Sequence, residues 1–253
     1  MQFDPPLVEG RFLRRYKRFL VDVELPSGEI VVAHSTNTGS LAGCLKEGAP
    51  TLIRKSPNPD RKLAWSWIMI RPGRSWVGVD TSLAVPLVEE AMDRGELPEL
   101  DGYERRTREV KYGRTGESRI DILLSRGGEP SPGKLTPRTP YVGDERMYVE
   151  VKNTTLTVER DGRRVGAFPD AVTERGLKHL HELRDVVKQG HRAAVVFCAQ
   201  RSDVTEFTTA DEIHAEYGKV FRKARKEGVE FYALAGTLGP KRAALTKRLE
   251  IVE

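Results

Sequence analysis

The hydrophobic period changes at about Asp80, and that change divides the chain into two kinds of fold. Before it, apolar residues recur in short runs broken by turn residues. Phe19, Val21, Val23 and Leu25 alternate with Leu20, Asp22 and Glu24, the period of a half-buried strand. Pro26-Ser27-Gly28 turns the chain, and residues 29–33 return it as a hairpin. Residues 51–55, 65–71 and 75–79 are further strands, with Pro72-Gly73-Arg74 turning between the last two. Short strands at this density predict a small β-barrel over residues 1–79. An OB-like barrel commonly grips nucleic acid, although strand number alone does not separate it from other small barrels.

After Asp80 the spacing becomes helical. Leu83, Leu87, Glu90, Ala91 and Arg94 share a face, and Gly95 stops the run. Strands follow at 107–112, 119–125 and 147–153, the first two joined by Gly113-Arg114-Thr115-Gly116 as a hairpin. The Pro- and Gly-rich GGEPSPGKLTPRTPYVGD separates the second and third strands and reads as a mobile excursion. A helix over 171–189 takes Asp170 as its N-cap and ends at Gly190; a strand (193–199), a helix (210–227) and a strand (229–235) complete the chain. The order αβββαβαβ predicts a mixed sheet flanked by helices over residues 80–253, so the whole is of α+β or α/β class.

Hydrophobic residues make up 38% and charged residues 31%, which excludes disordered and fibrous classes. The longest apolar run, residues 193–199, is too short to cross a membrane. The N-terminal MQFDPPLVEG lacks the basic start and apolar stretch of a signal peptide, so a cytoplasmic location is expected. Cys44 and Cys198 lie far apart and outside any CxxC pattern, so they read as buried thiols rather than zinc ligands. A net charge of +5 and a pI near 9.2 favour a polyanionic partner, mildly, because 37 acids nearly balance 42 Lys and Arg.

The chemistry concentrates in two of the central strands. In Tyr148-Val149-Glu150-Val151-Lys152, alternation puts Val149 and Val151 on one face and Glu150 and Lys152 on the other. Residues two apart on a strand are separated by about 6.6 Å, so the carboxylate and the ammonium enter the same space. Asp121 sits between Ile120 and Ile122, which are expected to face the other way. If the two strands pair, Asp121 converges with Glu150. Two carboxylates at one point repel, and a hard divalent cation such as Mg²⁺ or Mn²⁺ relieves that repulsion. An ordinary strand with a charged solvent face has the same alternation, and Glu-x-Lys occurs twice here, at Glu109-Val110-Lys111 as well. Glu90 on the preceding helix is the expected third acid, ahead of Glu109. Arg175, Lys178 and His179 share a helix face that can meet phosphate; a solvated face is the alternative, favoured for His179 alone. Arg11, Arg14, Arg15, Tyr16, Lys17 and Arg18 form a basic and aromatic stretch suited to nucleic acid, or equally a charged strand.

Together RYKRFL (15–20), NTG (37–39), EVKYG (109–113), SRIDILL (118–124), YVEVKN (148–153) and FPDAVTERGLKHL (168–180) resemble the sugar fermentation stimulation protein A family. The resemblance runs along nearly the whole chain. It implies an OB-like N-terminal part and a C-terminal part of the PD-(D/E)XK nuclease superfamily. It also implies Asp121 as the motif aspartate, Glu150 as the second acid and Lys152 as the catalytic lysine. Residues 126–146 look longer than the family usually has between these strands. The expected function is DNA binding, single- or double-stranded, with Mg²⁺- or Mn²⁺-dependent phosphodiester hydrolysis. The alternative is a non-catalytic DNA-binding regulator of sugar metabolism genes. The oligomeric state, a homodimer included, is left open.

Overall fold

The computed structural model describes residues 1–113, 116–127 and 145–253. Part of the expected hairpin turn (114–115) and most of the expected excursion (128–144) lie outside the described residues.

The N-terminal part is a closed barrel of β1 (Val8–Tyr16), β2 (Leu20–Glu24), β3 (Ile30–His34), β4 (Pro50–Lys55) and β5 (Trp65–Ile70), with the short β6 (Val77–Gly78) appended to β5. The sheet order is β3-β2-β1-β4-β5, and β3 closes onto β5 through Ala33 and Trp65. Alternation decides what is inside. Val21 opposes Ala33 and Val23 opposes Val31, and all four pack with Phe12, Ile53 and Trp67. The Trp67 indole N–H is satisfied by the Thr51 hydroxyl at 2.6 Å, which lets so large a ring be fully buried. β1 takes up most of the basic stretch, the charged strand that the sequence allowed as the equal alternative to a nucleic-acid contact. Its basic residues obscure the one inward ring, Phe12, and a bulge between Phe12 and Arg14 breaks its alternation.

The second part begins with α1 (Ala84–Asp93). It continues through β7 (Arg105–Tyr112), β8 (Ser118–Arg126), β9 (Glu145–Thr154), β10 (Leu156–Arg160), β11 (Arg163–Phe168), α2 (Glu174–Lys188), β12 (Arg192–Ala199), β13 (Glu206–Thr209), α3 (Asp211–Lys226), β14 (Glu230–Leu238), β15 (Ala243–Arg248) and β16 (Glu250–Ile251). The main sheet has the order β15-β14-β12-β9-β8-β7, with β9, β12 and β14 parallel. α1 covers one face, where Leu87, Val88 and Ala91 meet Ile122, Val149, Val151 and Val196. α2 and α3 cover the other, where Leu180, Leu183, Tyr217 and Phe221 meet Tyr148, Val195 and Phe197. A second sheet, β10-β11-β13-β16, was not expected. α2 starts at Glu174 and is capped by Thr173, whose hydroxyl accepts the Gly176 N–H, rather than by Asp170. Asp170 is engaged with the barrel instead: its carboxylate accepts the Leu41 N–H at 3.3 Å. Both cysteines are buried free thiols. Among the described residues no helix is long and apolar enough to cross a membrane.

Candidate metal centre

The main sheet forks where the charged strands meet. The β8–β9 ladder runs from Arg126/Glu145 to Ile122/Val149 and ends there. Beyond that point β8 stays paired with β7, through Val110/Ile120 and Lys111/Arg119, while β9 stays paired with β12. Asp121 stands on one arm of the fork, Glu150 and Lys152 on the other. The Asp121 carboxylate reaches across and accepts the Val151 N–H at 2.7 Å. This arrangement corrects part of the alternation argument. Ile122 packs on the α1 side, but Ile120 packs on the α2 side, so the strand rotates at Asp121.

Glu150 is 3% exposed. Its Oε1 accepts from Lys152 Nζ at 2.7 Å and is contacted by His179 Nδ1 from α2. Arg175 Nε lies 3.5 Å from His179 Nε2. An arginine can only donate, so Nε2 is the acceptor and the Nδ1–H is left for Glu150. Burial works to raise the Glu150 carboxyl, but the Lys152 ammonium and the His179 N–H outweigh it and hold it below the usual range. Asp121 goes the other way. Burial first, then the Glu150 charge, pushes it up to about 7, against the opposing pull of the Val151 N–H and Lys152.

Glu150 Oε2 is buried and has no hydrogen-bond partner. A buried carboxylate oxygen left unmatched is costly, and here it lies beside a second carboxylate that resists ionising. A divalent cation answers both features. Among the described residues no three His, Cys, Asp or Glu side chains gather to hold a metal. Asp121 and Glu150 alone offer two oxygen donors, which could hold a hard cation such as Mg²⁺ or Mn²⁺ only with waters completing its shell.

Glu90 is not part of this centre. α1 packs on the opposite face from Glu150, and Glu90 pairs with the Met1 ammonium and, at 3.4 Å, with Arg94. Glu109 is nearer. It lies across β7–β8 from Asp121 with φ at +56°, its charge helps to raise Asp121, and its carboxylate is 4.0 Å from Arg119. A positive φ at a non-glycine strand residue costs energy and marks functional positions. On α2, Arg175 and Lys178 are exposed and His179 is buried against Glu150, so the histidine is a site residue rather than a solvated one.

The barrel's basic stretch is more structural than expected. Arg15 gives its guanidinium to the carbonyls of Asn37 and Gly39, at 2.7 and 3.0 Å, which corrects its assignment as a nucleic-acid contact. Arg11 pairs with Glu24, Arg14 pairs with Asp22 and lies over the Tyr16 ring, and the Tyr16 hydroxyl donates to Asp22. Lys17 and Arg18 stay exposed at the tip of the β1–β2 turn. The loop that Arg15 holds was noted in the sequence only as NTG. Its neighbours Ser40 and Leu41 bond the Asp170 carbonyl and carboxylate, so it ties the barrel to the segment leading into α2.

Residues 13–79 match the family described as "SfsA N-terminal OB domain", and residues 82–242 match "Sugar fermentation stimulation protein RE domain". A sugar fermentation stimulation protein homolog of Rhodospirillum rubrum is 46% identical, over 98% of this chain and 97% of its own. One from Teredinibacter turnerae is 45% identical with both chains fully covered. A solved structure, Pyrococcus furiosus SfsA in complex with Ca²⁺, superposes with a TM-score of 0.80 at 26% identity, covering 100% of this chain and 98% of that one. With two family matches in tandem and full-length relatives above 40% identity, the chain belongs to the sugar fermentation stimulation protein family.

Proposed function

We propose that the chain is a divalent-metal-dependent nuclease acting on DNA, with Asp121 and Glu150 as the metal-binding carboxylates and Lys152 as the catalytic cation. The observation that carries this reading is the fork itself. An unmatched buried carboxylate oxygen on Glu150 lies beside an Asp121 pushed up to about 7. The Ca²⁺ complex of the Pyrococcus furiosus relative supports a cation in this family.

Bound Mg²⁺ or Mn²⁺ supplies polarisation of a phosphoryl oxygen and a lowered pKa for its water. The chain's residues do the rest. His179 and Lys152 keep Glu150 anionic and oriented. Lys152 Nζ, held beside the carboxylate, is placed to orient a water or to stabilise charge on the phosphate. Arg175, exposed on α2 and 3.5 Å from His179 Nε2, is the helix cation nearest the centre and would meet the approaching backbone, whereas Lys178 is turned to Glu182 at 4.0 Å. The test is incubation of purified protein with single- and double-stranded DNA in Mg²⁺ or Mn²⁺. Asp121→Asn and Lys152→Ala are expected to abolish cutting while sparing binding. Salt-sensitive binding with no hydrolysis under any metal would favour the regulator reading instead. That reading gives no account of a half-buried lysine beside two acids.

A further inference from the structure

Lys17 and Arg18, in the turn between β1 and β2, both hold left-handed backbone conformations, with φ at +50° and +66°. Asn-Gly fits such a pair of positions with little strain; two long side chains do not. The strained turn is fixed in place. Arg15 Nε donates to the Arg18 carbonyl at 2.8 Å while the same guanidinium holds Asn37 and Gly39, and the Ser35 N–H donates to the Phe19 carbonyl at 2.8 Å. The turn ends on an exposed ring: Phe19 is 43% exposed, its centroid 6.4 Å from that of His34.

The surface beside the ring is cationic. Val21 and Ala33 face the barrel core, so Leu20 and His34 face out; Ile53 and Trp67 also face the core, so Arg54 and Ser66 face out. The ladders line up Leu20, His34, Ser66 and Arg54 across β2, β3, β5 and β4, at about 5 Å per strand. Arg61 lays its guanidinium on this row, donating to the Ser66 hydroxyl at 2.7 Å. Asp22, two residues on from Leu20, is already held by Arg14 and Tyr16. Among the described residues Lys17, Arg18, Arg54 and Arg61 have no ion-pair partner. One exposed ring is ordinary on a protein surface. A ring held on a strained turn among four unpaired cations fits a polyanion that carries flat rings of its own.

We propose that Phe19, with His34 beside it, stacks an unpaired base, and that Lys17, Arg18, Arg54 and Arg61 hold the flanking phosphates of a single strand of DNA. In a duplex the faces of a base are covered by its neighbours, so a stacking ring selects the unpaired strand. The choice of DNA rests on the nuclease reading. The patch lies on the barrel, apart from Asp121, Glu150 and Lys152, and is a binding subsite rather than part of the centre.

The experiment is fluorescence anisotropy with labelled oligodeoxythymidine and with a duplex of the same length, in Ca²⁺ across a salt series, a gel confirming that the probes stay intact. Wild-type protein is expected to prefer the single strand. Phe19→Ala is expected to weaken single-strand binding by about 5–150-fold with the salt slope unchanged, and Phe19→Trp to restore it. Lys17→Asn with Arg18→Gly suits the left-handed turn, so it is expected to raise the melting temperature while weakening binding and reducing the slope of log K against log salt by about 0.7 per cation. Wild-type protein that cuts DNA, with Phe19→Ala and the turn variant both binding the single strand as wild type does, overturns the patch and leaves the nuclease reading standing. Single-strand binding lost in these variants, with no cutting by wild type under any metal, supports the patch and overturns the nuclease reading. Equal wild-type affinity for duplex and single strand overturns the base stacking. Binding to phosphatidylserine vesicles that is lost in Phe19→Ala at unchanged DNA affinity overturns the patch in favour of a membrane surface, and tighter binding of oligouridine than of oligodeoxythymidine overturns the choice of DNA.

Discussion

Glu150 carries two donors on one oxygen and none on the other, and that asymmetry is set by His179. Without the imidazole N–H, Lys152 alone orients the carboxylate, and the free oxygen is no longer aimed. Loss of such an outer partner typically costs 10–100-fold in metal affinity. His179→Ala is therefore expected to weaken Mn²⁺ binding by about 10–100-fold in isothermal titration, and His179→Gln, which keeps an N–H donor, to recover part of it. Equal affinity in all three proteins would remove His179 from the centre. Far from the fork, Asp203 accepts from Arg201 at 2.6 and 2.9 Å and from Arg164 at 2.7 Å. Burial raises its carboxyl, but the two guanidiniums outweigh burial and hold it below its ordinary 3.8. A depressed carboxyl contributes stability that is present above its unfolded value and lost as pH falls through its folded one. Asp203→Asn should thus be less stable than wild type in urea at about pH 7, with the gap closing towards about pH 3. A gap that stays constant over that range would show that the charge of Asp203 is not what stabilises the fold.

Elements, unlike residues, were legible in proportion to how local their signals are. Glu150 and Lys152 share a face as alternation predicts, because that signal is local, whereas the strand rotates at Asp121 and its flanking isoleucines part company. The fork was not legible, because where the β8–β9 ladder ends depends on which neighbour each strand keeps. Glu90 was misplaced for the same reason: its partner is the Met1 ammonium, 89 residues away in sequence. The β10–β11 hairpin had a local signal that went unread, Asp161-Gly162 with both residues at positive φ, a type I′ hairpin signature. The NTG loop and the FPD segment were visible as strings, but their contact was not. There the structure makes a sharp demand. A Cβ on Gly39 would fall 2.4 Å from Asp170 Oδ2 and 2.8 Å from Oδ1. Gly39→Ala must push the barrel loop off the segment that leads into α2. A loss of about 1–3 kcal/mol is expected by urea unfolding. Adding Asp170→Ala, which removes the obstructing carboxylate, should make the pair less costly than the sum of its parts. Simple additivity would mean that the contact does not join the two elements.

At the scale of the molecule, the barrel and the sheet are not independent. Leu52, Ile68 and Met69 of the barrel lie in the same core as Leu87 and Val88 of α1 and as Val149 and Val151 of β9. Backbone bonds reinforce the joint: Gly78 donates to Gln200 at 2.7 Å, Phe3 to Lys241 at 2.8 Å and Leu7 to Pro240 at 2.9 Å. The chain's three tryptophans, Trp65, Trp67 and Trp76, all lie in the N-terminal part, while α1, α2 and α3 all lie in the C-terminal part. Tryptophan fluorescence thus reports the barrel and far-ultraviolet circular dichroism reports the helices. A shared core predicts coincident thermal transitions by the two probes. It also predicts that metal bound at Asp121 and Glu150 moves both. At a hundredfold excess over its Kd, an ion that binds only the folded chain adds about 2.7 kcal/mol. For a chain of this size that is a rise of about 5–10 °C. The rise should appear equally in the fluorescence of the barrel, which holds neither carboxylate, and should vanish from both probes in Asp121→Asn. If Mg²⁺ shifts the circular dichroism midpoint alone, the shared core does not couple the two parts, and the barrel senses the fork only through bound substrate.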